Sequence, residues 1–398
     1  MSPSDSEPVV IAAARRTPMG AFMGELFGVA ATELGAAAIR AAQSDAGCDA
    51  GRITEVLMGC VLPAGLGQAP ARQAARLAGL PDSVAATTVN KVCGSGMRAV
   101  MLGHDLIRSR SAEVVLAGGM ESMSNAPFLL SEMRRGRKAG SAEIIDHMMR
   151  DGLEDAYAHA RPMGAFGEAT AERYLFSRND QDSYAIETLT RAQLAVTKGA
   201  FDAECTPVVA RTVKGTVTVT RDERPLQIDA KKIPSLRSAF REGGTITAAS
   251  SSANADGAAA LVLAAESTAE KAGMPVLARI LGHATHSQDP AWFTTAPIPA
   301  IRKLLDKIGL RVAEVDLFEV NEAFAVVAMA TAKEIGIPRD KMNVNGGACA
   351  LGHPIGATGA RILVTLIHAL KARGLRYGIG CLCIGGGEAT AIAVEAMS

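Results

Sequence analysis

The sequence predicts an α/β protein made of two similar halves, on three observations. Strand-like and helix-like segments alternate at both ends of the chain. Each end carries a Gly-rich break that opens a helix. Each then runs through an apolar strand into a cluster of glycines, as an internal duplication would.

In the first half, Val9–Ala13 reads as a strand, Ala31–Ala46 as an Ala-rich helix and Glu55–Cys60 as a second strand. Thr87–Asn90 reads as a further strand, Cys93–Ser109 as a helix, and Ala112–Ala117 as a strand ending at Gly118-Gly119. The last segment repeats the rhythm: Pro299–Ile308 helical, Leu317–Val320 a strand, Glu322–Ile335 a helix, Met342–Asn345 strand-like. Gly359–Ala372 follows as a helix and Tyr377–Ile384 as a strand ending at Gly385-Gly386-Gly387. Between the halves, Ser122 to about Thr247 is richer in charge and proline. It contains a helix over Asp180–Ala195 with Tyr184, Ile186, Leu189 and Leu194 available to its apolar side. A long excursion of this kind is where specificity is often built.

At 398 residues the chain exceeds one ordinary core, so two or three packed units are expected. Hydrophobic residues make up 48% and charged residues 21%, which argues against disorder, and a formal net charge of zero argues against an electrostatic nucleic-acid binder. No run of about 18 apolar residues offers a membrane span. Met1 to Pro8 is short and polar, with no leader pattern, and seven scattered cysteines do not form a secreted disulfide framework. A reducing cytoplasm is the simplest expectation.

Four segments carry chemistry. In Val89–Met97, Cys93 stands between a strand and a helix, flanked by glycines. A helix N-terminus favours thiolate and would lower the thiol pKa, whereas the plain structural alternative is an inert buried cysteine. Gly94–Ala99 also fits G-x-G-x-x-A, the turn of a dinucleotide site in an NAD-dependent oxidoreductase, but the acid expected at the end of the next strand is missing. In Asn343–Gly359, His353 lies in a glycine-rich loop able to approach a ligand, and an imidazole beside a thiol can take its proton. In Cys381–Glu388, alternation puts Cys381 and Cys383 on one side of a strand. One C-x-C is a poor zinc signature, while a thiol followed by three glycines suits proton transfer beside exposed N–H groups. In Val320–Ala325, Asn321 is either a helix cap or an amide that orients a water or stabilises an oxyanion.

Taken together, these segments resemble the thiolase family over essentially the whole chain. Asn90–Met97 is similar to its nucleophile motif, Asn321–Ala325 to Asn-Glu-Ala-Phe, Asn345–Gly359 to the Gly-His-Pro motif, and Cys383–Gly387 to Cys-x-Gly-Gly-Gly. The resemblance implies a five-layered α-β-α-β-α core of two α/β halves with an inserted loop domain. The divisions would be 1–122, 123–249 (loop domain, CoA binding and oligomer contacts), 250–275 (return segment) and 276–398.

It also implies acetyl-CoA C-acetyltransferase chemistry: condensation of two acetyl-CoA to acetoacetyl-CoA and CoA, and the reverse thiolysis. Cys93 would carry the acyl group, His353 activate it, and Cys383 move the Cα proton. Asn321, through a water, and His353 would stabilise the enolate oxygen, and the N–H groups of Cys93 and Gly385 would form the other oxyanion hole. Met163 and Ser252 match pocket and CoA-contact positions, with Phe293 beside Trp292 near another. Acyl-CoA and CoA would be the partners, with no metal or redox cofactor, no nucleic acid and no membrane. The further expectations are a cytoplasmic homotetramer and a place in lipid and fatty-acid metabolism. Pro162 stands where short-chain relatives have His, so a broader-chain 3-ketoacyl-CoA thiolase of β-oxidation stays open. A non-catalytic acyl-CoA or lipid-binding relative is the alternative of another class.

Overall fold

The computed structural model describes residues 7–158, 161–212 and 215–397. Most of the leaderless start read at residues 1–8 therefore lies outside the described residues. Among these, the main sheet contains β1 (Val9–Arg16), β2 (Ile53–Gly59), β3 (Ala85–Val89), β4 (Val114–Ser122), β5 (Ala255–Ala265), β6 (Ala278–Ser287), β7 (Leu317–Val320), β8 (Tyr377–Ile384) and β9 (Glu388–Ala396). Their order is β7-β8-β9-β6-β1-β5-β4-β2-β3, with Gly20–Ala21 pairing beside β5. β2 runs parallel to β3 and β4, and β7 parallel to β8; the remaining pairs are antiparallel.

Only two residue pairs, Val10 with Arg279 and Ile11 with Ala278, join the first-half strands to the second-half strands. The sheet divides there because two helices lie between its parts. Helix α3 (Ser95–Arg108) packs on β2, β4 and β5 with one face and on β9 with another. With α1 (Ala31–Asp45), α2 (Pro70–Leu77), α4 (Gly164–Tyr174), α5 (Arg178–Thr197), α6 (Pro297–Ile308) and α7 (Ala325–Ile335) counted before it, α8 (Thr358–Arg373) does the same between β1, β4, β5 and β7, β8, β9. Helices α1 and α2 cover the outside of the first half; α6, with α7 beside it, covers the outside of the second. The five layers are thus α-β-α-β-α, with separate apolar cores above, between and below the sheets.

Local departures from the sequence reading have physical causes. β4 does not end at Gly118-Gly119 but runs to Ser122. Those glycines exist for close packing: a Cβ on Gly118 would lie 2.0 Å from the carbonyl oxygen of Ala259. The helix expected from Glu322 starts at Ala325, with Phe324 at its cap, so Asn321 caps nothing. Met342 makes one bridge to Phe318 rather than a strand. In α5, Tyr184 and Leu189 are buried but Leu194 is 51% exposed.

The two central helices meet at their N-terminal ends through glycines. A Cβ on Gly96 would lie 2.9 Å from the Ala360 nitrogen, and one on Gly359 only 2.4 Å from the Met97 nitrogen. The same contact occupies the turn of the G-x-G-x-x-A pattern, leaving its glycines to protein packing rather than to a pyrophosphate. In an open helix Gly→Ala stabilises by roughly 1 kcal/mol. Here Gly359→Ala should destabilise by about 1–3 kcal/mol through overpacking, read as a lowered urea midpoint; a raised midpoint would refute the contact.

Candidate active site

Cys93 sits one residue before Gly94, the N-cap of α3. The chain reaches it through Val92, a β-branched residue held at φ +47°, the kind of strain that persists where surroundings impose it. Two N–H groups at the helix start are engaged inside this turn: Gly94 donates to the Lys91 carbonyl at 3.0 Å and Ser95 to the Val92 carbonyl at 3.0 Å. Burial pushes Cys93 up to about 11, against the backbone N–H groups of Gly385 and of Cys93 itself, which pull it down. Burial thus works against the low thiol pKa expected from the sequence.

His353 is held in its loop by its own N–H, which donates to the Ala253 carbonyl at 2.8 Å. Its Nδ1 lies 2.7 Å from the Thr358 hydroxyl, which itself donates to the Pro354 carbonyl at 2.9 Å. The hydroxyl must then accept from Nδ1–H, which leaves Nε2 as the bare acceptor nitrogen. That Nε2 is buried without a partner. Burial, with Arg361 adding to it, pushes His353 down to about 3, so its imidazole is neutral at physiological pH.

Two buried glutamates that the sequence reading gave no role hold this loop. Glu121, at the end of β4, accepts from the N–H groups of Val61 (3.0 Å), Leu62 (3.1 Å) and Gly356 (2.9 Å). Burial pushes its carboxyl up to about 7. Glu322 accepts from the hydroxyls of Tyr184 and Thr188 and the amide of Asn343, each at 2.9 Å, and from the Cys349 N–H at 3.1 Å. The available signal for Glu121 was a lone carboxylate in an otherwise apolar strand, which demands buried donors.

Cys383, near the end of β8, is buried among Phe166, Phe293, Phe324 and Val327, with Met163 against the cluster. Burial raises its pKa well above the usual thiol value, and charge on Cys93 and then Cys381 raises it further. The two thiols Cys93 and Cys383 therefore sense one another. Gly385–Gly387 form the three-residue turn from β8 to β9, with φ +91° at Gly386 and +89° at Gly387. A Cβ on Gly385 would sit 3.6 Å from Met163 and 3.7 Å from Val92. An ion pair between Lys91 and Glu388 ties the two turns together.

Asn321 donates its backbone N–H to the Cys381 carbonyl at 2.9 Å, while both polar atoms of its side chain are buried without a partner. The Ser251 hydroxyl is likewise buried and unpaired, and Ser252 donates its N–H to Ala323 at 3.0 Å. Such orphans are rare in finished cores and mark places left for a ligand or water. Phe293 packs edge-on against Phe166, with 6.2 Å between centroids, whereas the Trp292 ring lies under the Arg173 guanidinium at 4.7 Å. A cavity of about 290 Å³, lined among others by Lys232, Leu236, Ala248, Ala249 and Cys349, opens beside this region. Among the described residues no helix is long and apolar enough to cross a membrane.

One thiol under a backbone amide, a second thiol against it and an imidazole with a free acceptor nitrogen suit acyl transfer through sulfur. Comparison with known proteins agrees. Residues 9–267 match the thiolase N-terminal domain and residues 274–396 the thiolase C-terminal domain. The chain is 48% identical to acetyl-CoA acetyltransferase 2 of Arabidopsis thaliana, over 97% of this chain and 96% of that one. It is 46% identical to an acetyl-CoA acetyltransferase of Escherichia coli strain K12, over 98% and 99%. Among solved structures, the Bacillus anthracis acetyl-CoA acetyltransferase superposes with a TM-score of 0.95 at 40% identity, covering 98% of this chain and 99% of that one. A thiolase from Ascaris suum in complex with coenzyme A gives 0.93 at 40%, covering 98% and 100%. The chain belongs to the thiolase family and is an acyltransferase.

Because Cys93 is pushed up to about 11 and His353 down to about 3, the resting pair is neutral thiol and neutral imidazole. Thiolate then forms only as pH climbs toward the thiol pKa. Iodoacetamide alkylation of Cys93 should accelerate by about tenfold per pH unit from pH 6 to 10. A plateau below pH 8 would show a preformed thiolate.

Proposed function

We propose that the chain has acetyl-CoA C-acetyltransferase activity, joining two acetyl-CoA into acetoacetyl-CoA and CoA and running the reverse thiolysis. The observation that carries this is the pairing at Cys93: the Gly385 amide aimed at its sulfur and the Cys383 thiol close enough to sense its charge. The names of the relatives above point the same way.

In the first half-reaction the Cys93 sulfur attacks the thioester carbonyl while its proton passes to Nε2 of His353. The carbonyl oxygen gathers charge under the N–H groups of Cys93 and Gly385, and CoA leaves with the proton. In the second, Cys383, as the thiolate once its own proton has passed to solvent, takes a Cα proton from another acetyl-CoA and later gives it to the departing Cys93 sulfur. The enolate oxygen is held by His353 and, through a water, by Asn321, whose unpaired amide suits the task. The enolate carbon attacks the acyl-Cys93 carbonyl, the C–S bond breaks, and the thiol is restored. Because each thiolate destabilises the other, only one of the two is ionised at a time. That is the sequence a two-step transfer needs. The thioester supplies the acidity of the Cα proton, so the proposal includes no resident cofactor.

Met163 and Phe293 would shape the acyl pocket, and Ser252, with Lys232 at the neighbouring cavity, would meet the CoA arm. Trp292 would act from the flank through Arg173. The four divisions given above, from the first half at 1–122 to the second at 276–398, belong to this reading. So does a homotetramer, supported by the half-exposed edge strand β3 and by the hairpin Phe128–Leu130/Ile144–Asp146, where Phe128 and Ile144 are each 68% exposed. All seven cysteines are free, which fits a cytoplasmic role in lipid and fatty-acid metabolism. Pro162 before Met163 favours the second reading, a broader-chain 3-ketoacyl-CoA thiolase, because it leaves out a polar side chain beside the acyl group.

Thiolysis of acetoacetyl-CoA and of a longer 3-ketoacyl-CoA separates these readings. A strong preference for acetoacetyl-CoA supports the first, comparable rates support the second, and cleavage of neither by folded protein refutes both. Cys93→Ala should abolish acyl-enzyme formation, with turnover falling on the order of 10⁴-fold or more. Cys383→Ala should still acylate but fail to condense or to exchange the Cα proton. Equal loss of acylation in both variants would contradict the assigned roles.

A further inference from the structure

Far from the thiols, the other end of α3 carries a cluster that the acyl-transfer chemistry does not use. His104 and Asp105 lie near the C-terminal end of the helix, and His283 faces them from β6. Asp105 Oδ1 is 2.9 Å from His283 Nε2 and 3.2 Å from His104 Nδ1. The two imidazoles stand edge to face, 5.0 Å between centroids, and one donor atom from each of the three residues lies within 4.8 Å of the others. Each imidazole side chain is 13% exposed, while the carboxylate is 50% exposed.

We propose that His104, Asp105 and His283 form a three-ligand site for a borderline divalent transition-metal ion of the zinc class. The donor set, two imidazole nitrogens and one carboxylate oxygen, is one that such ions take. With ligand bonds of about 2.0–2.1 Å, neighbouring ligand atoms around a tetrahedral ion stand roughly 3.3 Å apart, close to both distances found here. The exposed side of Asp105 leaves room for water to complete the coordination. Arg98, Arg108 and Lys307 lie near enough to oppose a cation, which sets the affinity below that of a closed structural zinc site.

The position gives the ion a mechanical role. His104 and Asp105 belong to the first half, on the helix that Cys93 precedes, and His283 belongs to the second. Among the described residues, only two residue pairs, at Val10 and Ile11, join the halves through β1 and β6. An ion bound four residues further along β6 than Arg279 would clamp α3 to the second-half sheet.

The test uses full-length protein freed of metal with a chelator and carrying Cys93→Ala and Cys383→Ala, so that the thiol pair cannot bind the probe. Co²⁺ titration followed by visible absorption should give one ion per chain, with no sulfur-to-cobalt charge-transfer band. Zn²⁺ should raise the thermal midpoint. His283→Gln and His104→Gln in the same background should each weaken Co²⁺ binding at least about tenfold and abolish the Zn²⁺ shift. Circular dichroism should show both variants folded. Co²⁺ binding that persists unchanged in His283→Gln would overturn the site. So would no saturable binding up to about 1 mM, or a sulfur band tying the ion to a remaining cysteine.

Discussion

The backbone of Gly356 is the point on which the rest of the molecule depends. Its carbonyl oxygen is lodged among three glycines of the first half: Cβ atoms on Gly59, Gly96 and Gly119 would lie 2.5, 3.0 and 2.0 Å from it. Its N–H is bonded to Glu121, which also holds the N–H groups of Val61 and Leu62. One residue of the second half is thus held at both its backbone N–H and its backbone carbonyl by β2, α3 and β4. His353 lies three residues before that clamp and Thr358, which fixes the ring's tautomer, two residues after it. Close-packed backbone transmits displacement with little slack. The position of the imidazole is therefore set by the first half, where the nucleophile resides, although the histidine belongs to the second.

The electrostatics follow from the same closeness. Packing backbone against backbone excludes water, and burial then governs Cys93, Cys383 and His353. Both thiols are pushed up, and the histidine is pushed down. A charged thiolate–imidazolium pair waiting in the resting state would have to bear that desolvation cost continuously. Under the proposed reaction, a neutral pair meets it only when the substrate carbonyl arrives and the amides of Cys93 and Gly385 have an oxygen to stabilise. The unpaired atoms of Asn321 and His353 fit this picture, since they are polar groups whose partner comes with the ligand.

Much of this was legible in the sequence, and what was missed was missed for identifiable reasons. Leu317–Val320 and Tyr377–Ile384 were read at their true bounds because β-branched and apolar runs there end in unambiguous breaks. The strand Ala255–Ala265 was not read as one. Six of its residues are alanine, a helix former, and tertiary burial of all but the last overrides that preference. Gly118-Gly119 were read as a strand's end because glycine signals a break, whereas here it admits a neighbouring backbone. The pattern places Cys93 at a helix end but does not show the burial that pushes its thiol up. Glu121 escaped because its partners, at 61, 62 and 356, are remote in sequence.

Duplication explains why the chemistry gathers where it does. In each half the parallel strands end at the same side of the layer: β2, β3 and β4 at Gly59, Val89 and Ser122, and β7 and β8 at Val320 and Ile384. Cys93 follows β3, Asn321 follows β7, Cys383 closes β8 and Glu121 closes β4. Ligand sites in α/β sheets form beyond the carboxyl ends of parallel strands, where the chain turns away and leaves a crevice. Under the proposed reaction, a single half would offer one such crevice with one thiol, which cannot both hold an acyl group and accept a proton in the same step. Two halves meeting through the N-terminal ends of α3 and α8 bring the crevices face to face. Cys383 then comes close enough to sense charge on Cys93 without any element leaving its own fold.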